Sequence, residues 1–312
     1  MRPLCFELGQ RHPAPAFSRI QGMAALILEG KTLAAQLRGS LPGRIAAAGA
    51  ARKPMLAAIH CPGDYASDVY LKKELEACRK TGIDAVQHNI APDIAPREFA
   101  ALLRSVSDDK NVDAVLVPRP LPAALSDPRL WENMNPDKDI DGASVPAMGR
   151  LFLCKNFSEI ERGGFFAPCT AMAVVKLLRY HKVEFSGKRA AVLGRSSTVG
   201  RPLAHMLSCL DATVTLCHSR TPDMAATLAN SHIIASAIGK ARWVKKEMVP
   251  SGAIVADVGT NSDANGVFCG DVDYAAVEPI AAAISPVPGG VGPVTLACLL
   301  ENIVISFERN AK

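Results

Sequence analysis

The chain has 312 residues, 49% apolar and 21% charged, enough to bury a sizeable core and, on ordinary domain sizes, better suited to two domains than to one. Its net charge of +5 is spread along the chain rather than gathered in Lys/Arg runs, which argues against a nucleic-acid partner and leaves a mildly basic surface suited to anionic ligands. Charged residues interrupt the long apolar segments, so no membrane span is expected, and nine cysteines without a CxxC pair read as reduced, mostly buried thiols of a reducing compartment rather than a secreted one.

Residues 1–22 lack the folded pattern of the rest of the chain and carry Arg2, Arg11 and Arg19 against one acid, Glu7. They read equally as a mitochondrial presequence and as a disordered extension before a start at Met23, so cytoplasmic and mitochondrial locations both stay open. Over 30–49, Leu33, Leu37, Leu41 and Ile45 step by four and predict an amphipathic helix. Next come a strand at 55–59, a helix at 67–81 ended by Gly82, a strand at 84–90, a helix at 94–107 and a strand at 114–117 stopped by prolines. This βαβ alternation predicts an α/β domain built on a parallel sheet with helices on both faces.

A second series then begins: helix 170–181, strand 189–193, a glycine loop, helix 202–210, and strands at 213–217, 233–237 and 253–258. It predicts a Rossmann-like, doubly wound domain. A final apolar helix, 294–307, comes after the Gly/Pro-rich turn 286–293 and by pattern alone packs on either domain. No internal repeat or low-complexity segment is present.

Between strand 189–193 and the next helix runs GRSSTVG, from Gly194 through Arg195 and Ser196 to Gly200, with Pro202 in the first helical turn. Backbone N–H groups and the helix dipole at such a junction favour an anion, and glycines let a pyrophosphate approach. By itself the motif is weak, since a tight βα turn without ligand has the same look. The following strand sharpens it. NAD-selective folds usually set an acid there for the ribose hydroxyl, whereas this strand ends in CHSRT at 217–221. With no carboxylate to repel a 2′-phosphate, and with Arg195, Ser219 and Arg220 as donors, NADP is expected over NAD.

GRSSTVGRP at 194–202 and TVTLCHSRT at 213–221, together with SDVY at 67–70, KDIDG at 138–142, PCT at 168–170, DVGTN at 257–261, GDVD at 270–273 and PVPGGVGP at 286–293, resemble the bifunctional methylenetetrahydrofolate dehydrogenase/methenyltetrahydrofolate cyclohydrolase family, in the family's order across residues 26–302. The resemblance implies an N-terminal folate-binding domain (23–166) completed by the C-terminal helix (291–312), a dinucleotide domain (167–290), and a homodimer. It implies that Tyr70 stacks on the folate's aminobenzoate ring, that Asp141 binds the pterin, and that the turn of Pro288, Gly289, Gly290, Val291 and Gly292 closes against it. Each has a plainer reading as well: packing for Tyr70, a cap or turn acid for Asp141, a rigid hinge for the turn. Thr260, just past a strand's carboxyl end, is the candidate for a further cofactor contact. No metal-ligand set is expected.

The chain departs from this family at the hydrolytic centre. The family carries a Lys one helical turn after the motif Tyr; here that position is Glu74, and Lys73 lies about 100° around the helix. The family's strand ends in VQLPLP, whose Gln bonds that Lys; this chain reads Val117, Pro118, Arg119, Pro120, Leu121, Pro122, and Pro118 offers no side-chain donor or acceptor. Arg119 is expected to point away if the strand persists. Hydride transfer needs mainly two reactants held face to face, whereas hydrolysis needs an activated water. The expectation is a surviving NADP-dependent dehydrogenase with the cyclohydrolase step weak or lost. The competing readings are Glu74 as a substitute general base, a non-catalytic folate or dinucleotide sensor, and a Rossmann enzyme with another substrate.

Overall fold

In chain order the elements of the computed structural model, which describes residues 24–263 and 265–311, are β1 (Leu26–Ile27), α1 (Lys31–Gly39), α2 (Leu41–Ala47), β2 (Met55–His60), α3 (Tyr65–Thr81), β3 (Asp84–Asn89), α4 (Pro96–Asp108), β4 (Ala114–Leu116), α5 (Val145–Leu153), α6 (Phe157–Arg162), α7 (Cys169–Tyr180), β5 (Arg189–Leu193), α8 (Gly200–Ser208), β6 (Thr213–Cys217), α9 (Met224–Leu228), β7 (Ile233–Ser236), β8 (Ile254–Asp257), β9 (Asn261–Ser262), β10 (Phe268–Cys269), α10 (Tyr274–Val277), β11 (Ala283–Ile284) and α11 (Val291–Asn310). The expectations for 1–22 and for a start at Met23 lie outside the described residues.

The expected α/β architecture is present as two parallel sheets. The first has the order β3-β2-β4, every pair parallel. The second has the order β1-β11-β8-β7-β5-β6, again parallel throughout. Its inner strands β7 and β8 are buried residue by residue, as parallel strands covered on both faces must be. The direction of winding reverses between β5 and β7, where such folds open a ligand crevice at the strands' carboxyl ends.

Two boundaries differ from the sequence expectation. The helix expected over 30–49 is two helices, α1 and α2, because Pro42 lacks the N–H that a continuous helix would require. The pattern nonetheless places its face correctly, with Leu33 and Leu41 buried. The start of the folded chain was assigned wholly to the first domain, yet β1 joins the edge of the second sheet, its Leu26 pairing Ala283 and its Ile27 pairing Ile284. Two residues are too short a run to show a period.

Helix α11 packs against α7, α1, α2, α3 and the β2–β4 pair, and its Ser306 hydroxyl donates to the carbonyl of Asp113 ahead of β4 at 2.5 Å. Its 20 residues are, by length and composition, long and apolar enough to cross a bilayer, a possibility that the interrupting charges had argued against. Here Leu300, Ile303, Val304 and Phe307 lie in the core.

Candidate active site

The first half of the site is built on α3. Asp64 caps the helix, its carboxylate accepting the Ser67 N–H at 2.9 Å, and the helix ends at Gly82 with φ +86°. Ser67, Tyr70 and Glu74 are spaced i, i+3 and i+7 and so share one face. Tyr70 is 39% exposed as a residue while Glu74 is only 6% exposed. Ser67 Oγ is buried without a hydrogen-bond partner, a cost of about 1–3 kcal/mol that a bound polar group would relieve.

The KDIDG loop brings two acids with different tasks. Asp139 is buried and accepts the N–H groups of Ala143 (3.1 Å) and Ser144 (2.7 Å), which fixes the approach to α5. Asp141 accepts the N–H of Cys169 at 3.2 Å and its carboxyl also interacts with the Cys169 thiol, so it touches the start of α7. The plainer cap reading of Asp141 is therefore partly realised. Burial, reinforced by Asp139, pushes the Asp141 carboxyl up to about 6.

Glu74 has, among the described residues, no hydrogen-bond or ion-pair partner for its carboxyl. Burial first, and the neighbouring Asp141 second, push it up to about 8. The Tyr70 hydroxyl is pushed up by burial and then by the charges of Glu74, Asp141 and Cys169. Side chains from α3, the 138–142 loop and the start of α7 are thus close enough for their charges to act on one another. The Cys169 thiol, well above its ordinary range through burial and Asp141, donates to the Ile140 carbonyl at 3.3 Å. Of the two cations on α7, Lys176 is held by Glu301 at 2.5 Å and Arg179 by Glu161 at 2.7 Å.

The condition under which Arg119 is expected to point away, persistence of the strand, is not met. Strand β4 ends at Leu116, so alternation no longer governs position 119. The guanidinium lies 4.6 Å from the centroid of the Trp131 ring, and Asp141 is the charge that favours its protonated form against desolvation. Val117 is buried and Pro118 half-buried beside it. At the 286–293 turn, Gly30 donates to the Gly289 carbonyl at 2.8 Å and Gly290 to that of Pro286 at 2.8 Å. Gly289 has φ +114°, and a Cβ on Gly290 would meet Ser285 Cβ at 2.8 Å. These contacts pin the turn beside the starts of α1 and α11, leaving Pro288 and Gly292 exposed and Val291 buried.

The second half is a cavity of about 530 Å³ at the carboxyl ends of β5, β6 and β7. Gly194 lines it, with φ +104°; Gly200 does not, but it packs behind the loop, where a Cβ on it would meet the Gly194 carbonyl carbon at 2.6 Å. The close approach is thus backbone to backbone as much as backbone to ligand. Ser196 caps α8, its hydroxyl accepting the N–H groups of Val199 (3.1 Å) and Gly200 (3.3 Å).

Arg195, Ser196 and Ser219 line the cavity, with no Asp or Glu among its lining residues. This donor set fits the 2′-phosphate of NADP. Arg220 and Thr260 are exposed and do not line it. Lys240 does, and sequence reasoning missed it, although it lies just past the carboxyl end of β7, where ligands gather. Asp271 was also missed: it accepts the N–H groups of Ile238 (2.7 Å) and Lys240 (2.9 Å) and so holds that wall.

Comparison with known proteins agrees with this geometry. The model for the tetrahydrofolate dehydrogenase/cyclohydrolase catalytic domain matches residues 28–141, and that for the same family's NAD(P)-binding domain matches 168–311. The chain is 56% identical over 286 residues to the bifunctional protein FolD of Elusimicrobium minutum, covering 91% of this chain and 99% of that one. Its fold is similar to that of the bifunctional enzyme FolD, methylenetetrahydrofolate dehydrogenase/cyclohydrolase, of Campylobacter jejuni, with TM-score 0.85 and 34% identity over 92% of this chain and 99% of that chain. The Trypanosoma brucei N5,N10-methylenetetrahydrofolate dehydrogenase-cyclohydrolase, solved with NADP cofactor and inhibitor, gives TM-score 0.84 and 31% identity over 92% and 98% of the two chains.

Proposed function

The chain belongs to the tetrahydrofolate dehydrogenase/cyclohydrolase family, and from that premise we propose that it oxidises 5,10-methylenetetrahydrofolate to 5,10-methenyltetrahydrofolate with NADP, while the family's hydrolysis of the methenyl product is weak or lost. The observation that carries the dehydrogenase reading is the acid-free cavity lined by Arg195, Ser219 and Lys240 at the reversal of the second sheet. Bound NADP supplies the hydride acceptor. The chain's own residues then place the folate. Tyr70, partly exposed, meets the aminobenzoate ring, Asp141 presents its carboxyl to the pterin's donors, and the pinned 286–293 turn limits the space beside it.

Hydrolysis lacks its base. No amine stands on the Tyr70/Glu74 face of α3, Lys73 is exposed, and Lys176 is committed to Glu301. Glu74 holds its proton at neutral pH in the free cleft, and beside a methenyl cation a carboxylate would stabilise the very charge that water must attack. One preparation assayed for NADPH formation and for methenyl hydrolysis tests both halves. Substantial NADPH formation with slow hydrolysis is expected, and hydrolysis should recover in a Glu74→Lys, Pro118→Gln double variant. Equal efficiency with NAD, or hydrolysis as fast as oxidation, would contradict the proposal.

A homodimer is part of the same reading, carried by the family resemblance and testable by light scattering. A reducing compartment, cytoplasmic or mitochondrial, suits the eight free thiols among the described residues.

A further inference from the structure

Glu74 is a buried acid that, among the described residues, no cation answers. Tyr70, one turn earlier on α3, shares its face, and Ser67 on that face has a buried hydroxyl without a partner. The groups around Glu74 come from every wall of the cleft: Tyr70 and Cys78 on α3, Asp141 on the 138–142 loop, Cys169 at the start of α7 and Cys298 on α11. None is positive. Arg119 reaches Asp141 only as a nearby charge without an ion pair, and Lys176 is paired with Glu301. A carboxyl kept in such a place favours whatever brings positive charge into it.

The reaction proposed above supplies such a charge, because the methylene unit of the substrate is neutral and the methenyl unit of the product is a cation. We propose that Glu74 is a charge-selecting residue, which binds the methenyl product, and the developing cation before it, in preference to neutral tetrahydrofolates, giving up its own proton as it does so. The inference rests on the dehydrogenase reading for the identity of its ligand.

The balance is simple. A monocation and a neutral carboxylic acid become an ion pair, and one proton passes to solvent. Because Glu74 sits near 8 in the free protein, binding of the cation must first remove that proton at neutral pH. Affinity for the cation therefore rises by about tenfold per pH unit up to that value, then levels off. Asp141, near 6, is one of the charges that raise Glu74, so proton release around the Asp141 value belongs to the coupled pair, and the part of the slope above it reports Glu74. An interaction stronger with the cation than with the substrate also accelerates oxidation, at the cost of slower product release.

Calorimetric titration of the full chain with 5,10-methenyltetrahydrofolate and with tetrahydrofolate, at pH 6.0 to 7.5 in two buffers of different ionisation heat, tests this directly. The expected result is an affinity ratio that climbs about tenfold from pH 6 to pH 7, with release of roughly one proton per bound cation. In Glu74→Gln the ratio should fall by tenfold or more at pH 7.5 and become flat with pH, while affinity for tetrahydrofolate changes less than threefold. A flat ratio in the unaltered chain overturns the inference, as does an unchanged slope in the variant. Should Glu74→Gln fail to fold, the pH profile and proton release of the unaltered chain decide. NADPH formation measured on the same preparation separates the two readings: NADPH with a flat ratio removes only the charge selection, whereas no NADPH removes the dehydrogenase reading.

Discussion

Asp257 accepts the backbone N–H of Asp271 at 2.9 Å, so the acid that ends β8 orients the acid that holds the cofactor wall. Asp257 also receives Gly259 and Val272 N–H groups, and Asp271 receives the Ser236 hydroxyl, the Asn261 amide and the N–H groups of Ile238 and Lys240. Two loops at the carboxyl ends of β7 and β8 are thereby tied to one side chain. Asp271→Ala should leave several of these buried donors unanswered, lowering stability by about 3 kcal/mol or more. Thermal melting should show a drop on the order of 10 °C, with a weaker affinity for NADP. A variant that melts as the parent does would show the ties to be incidental.

The approach of Gly200 to Gly194 leaves no room for a methyl group. Gly200→Ala should force the loop outward and raise KM for NADP more than tenfold, with destabilisation of about 1–3 kcal/mol. Tetrahydrofolate affinity, read separately by calorimetry, should change little, since the proposed folate site is built on α3 and the 138–142 loop. Equal loss of both ligands would point to global unfolding instead.

Cofactor choice should track the donors in the cavity. Arg195→Gln and Ser219→Asp remove a cation and add an anion where the 2′-phosphate is expected, so catalytic efficiency with NADP should fall by tenfold or more. Efficiency with NAD should hold or rise. Steady-state kinetics with both dinucleotides measures the ratio, and equal losses with the two would place the 2′-phosphate elsewhere.

Where a period or a spacing carried the signal, the sequence sufficed. Strands β5 and β6 match their expected bounds, and Gly194, Arg195 and Ser219 meet at one cavity because the strand–loop–helix context dictates it. What escaped depended on contacts between distant segments. The two acids Asp257 and Asp271 look like ordinary loop residues until the sheet brings their loops together. Arg119 could not be placed by alternation, because β4 ends at Leu116. Lys240 lay in a GKARW stretch whose only clue was its place after β7. The meaning of Glu74 was half legible: its spacing from Tyr70 put it on the same helix face, but only the fold shows that, among the described residues, no cation pairs with it there.

That isolation has a consequence for stability. Glu74 has a folded pKa of about 8 against an ordinary 4.5, so the folded chain binds a proton that the unfolded chain releases between these values. Stability from this group is complete below pH 4.5 and is lost as pH rises towards 8, the reverse of a salt-bridged acid. Glu74→Gln cannot ionise and escapes that loss. The variant should therefore melt close to the parent at pH 5 and above it at pH 8.5, with a gap of order 3 kcal/mol, or several degrees. Other titrating groups act in both proteins and cancel in the difference. Added methenyltetrahydrofolate should shrink the gap at pH 8.5, because the cation answers the ionised carboxylate in the parent and finds none in the variant. A gap that stays constant between pH 5 and 8.5 would mean that Glu74 is ionised throughout and has a partner other than its ligand.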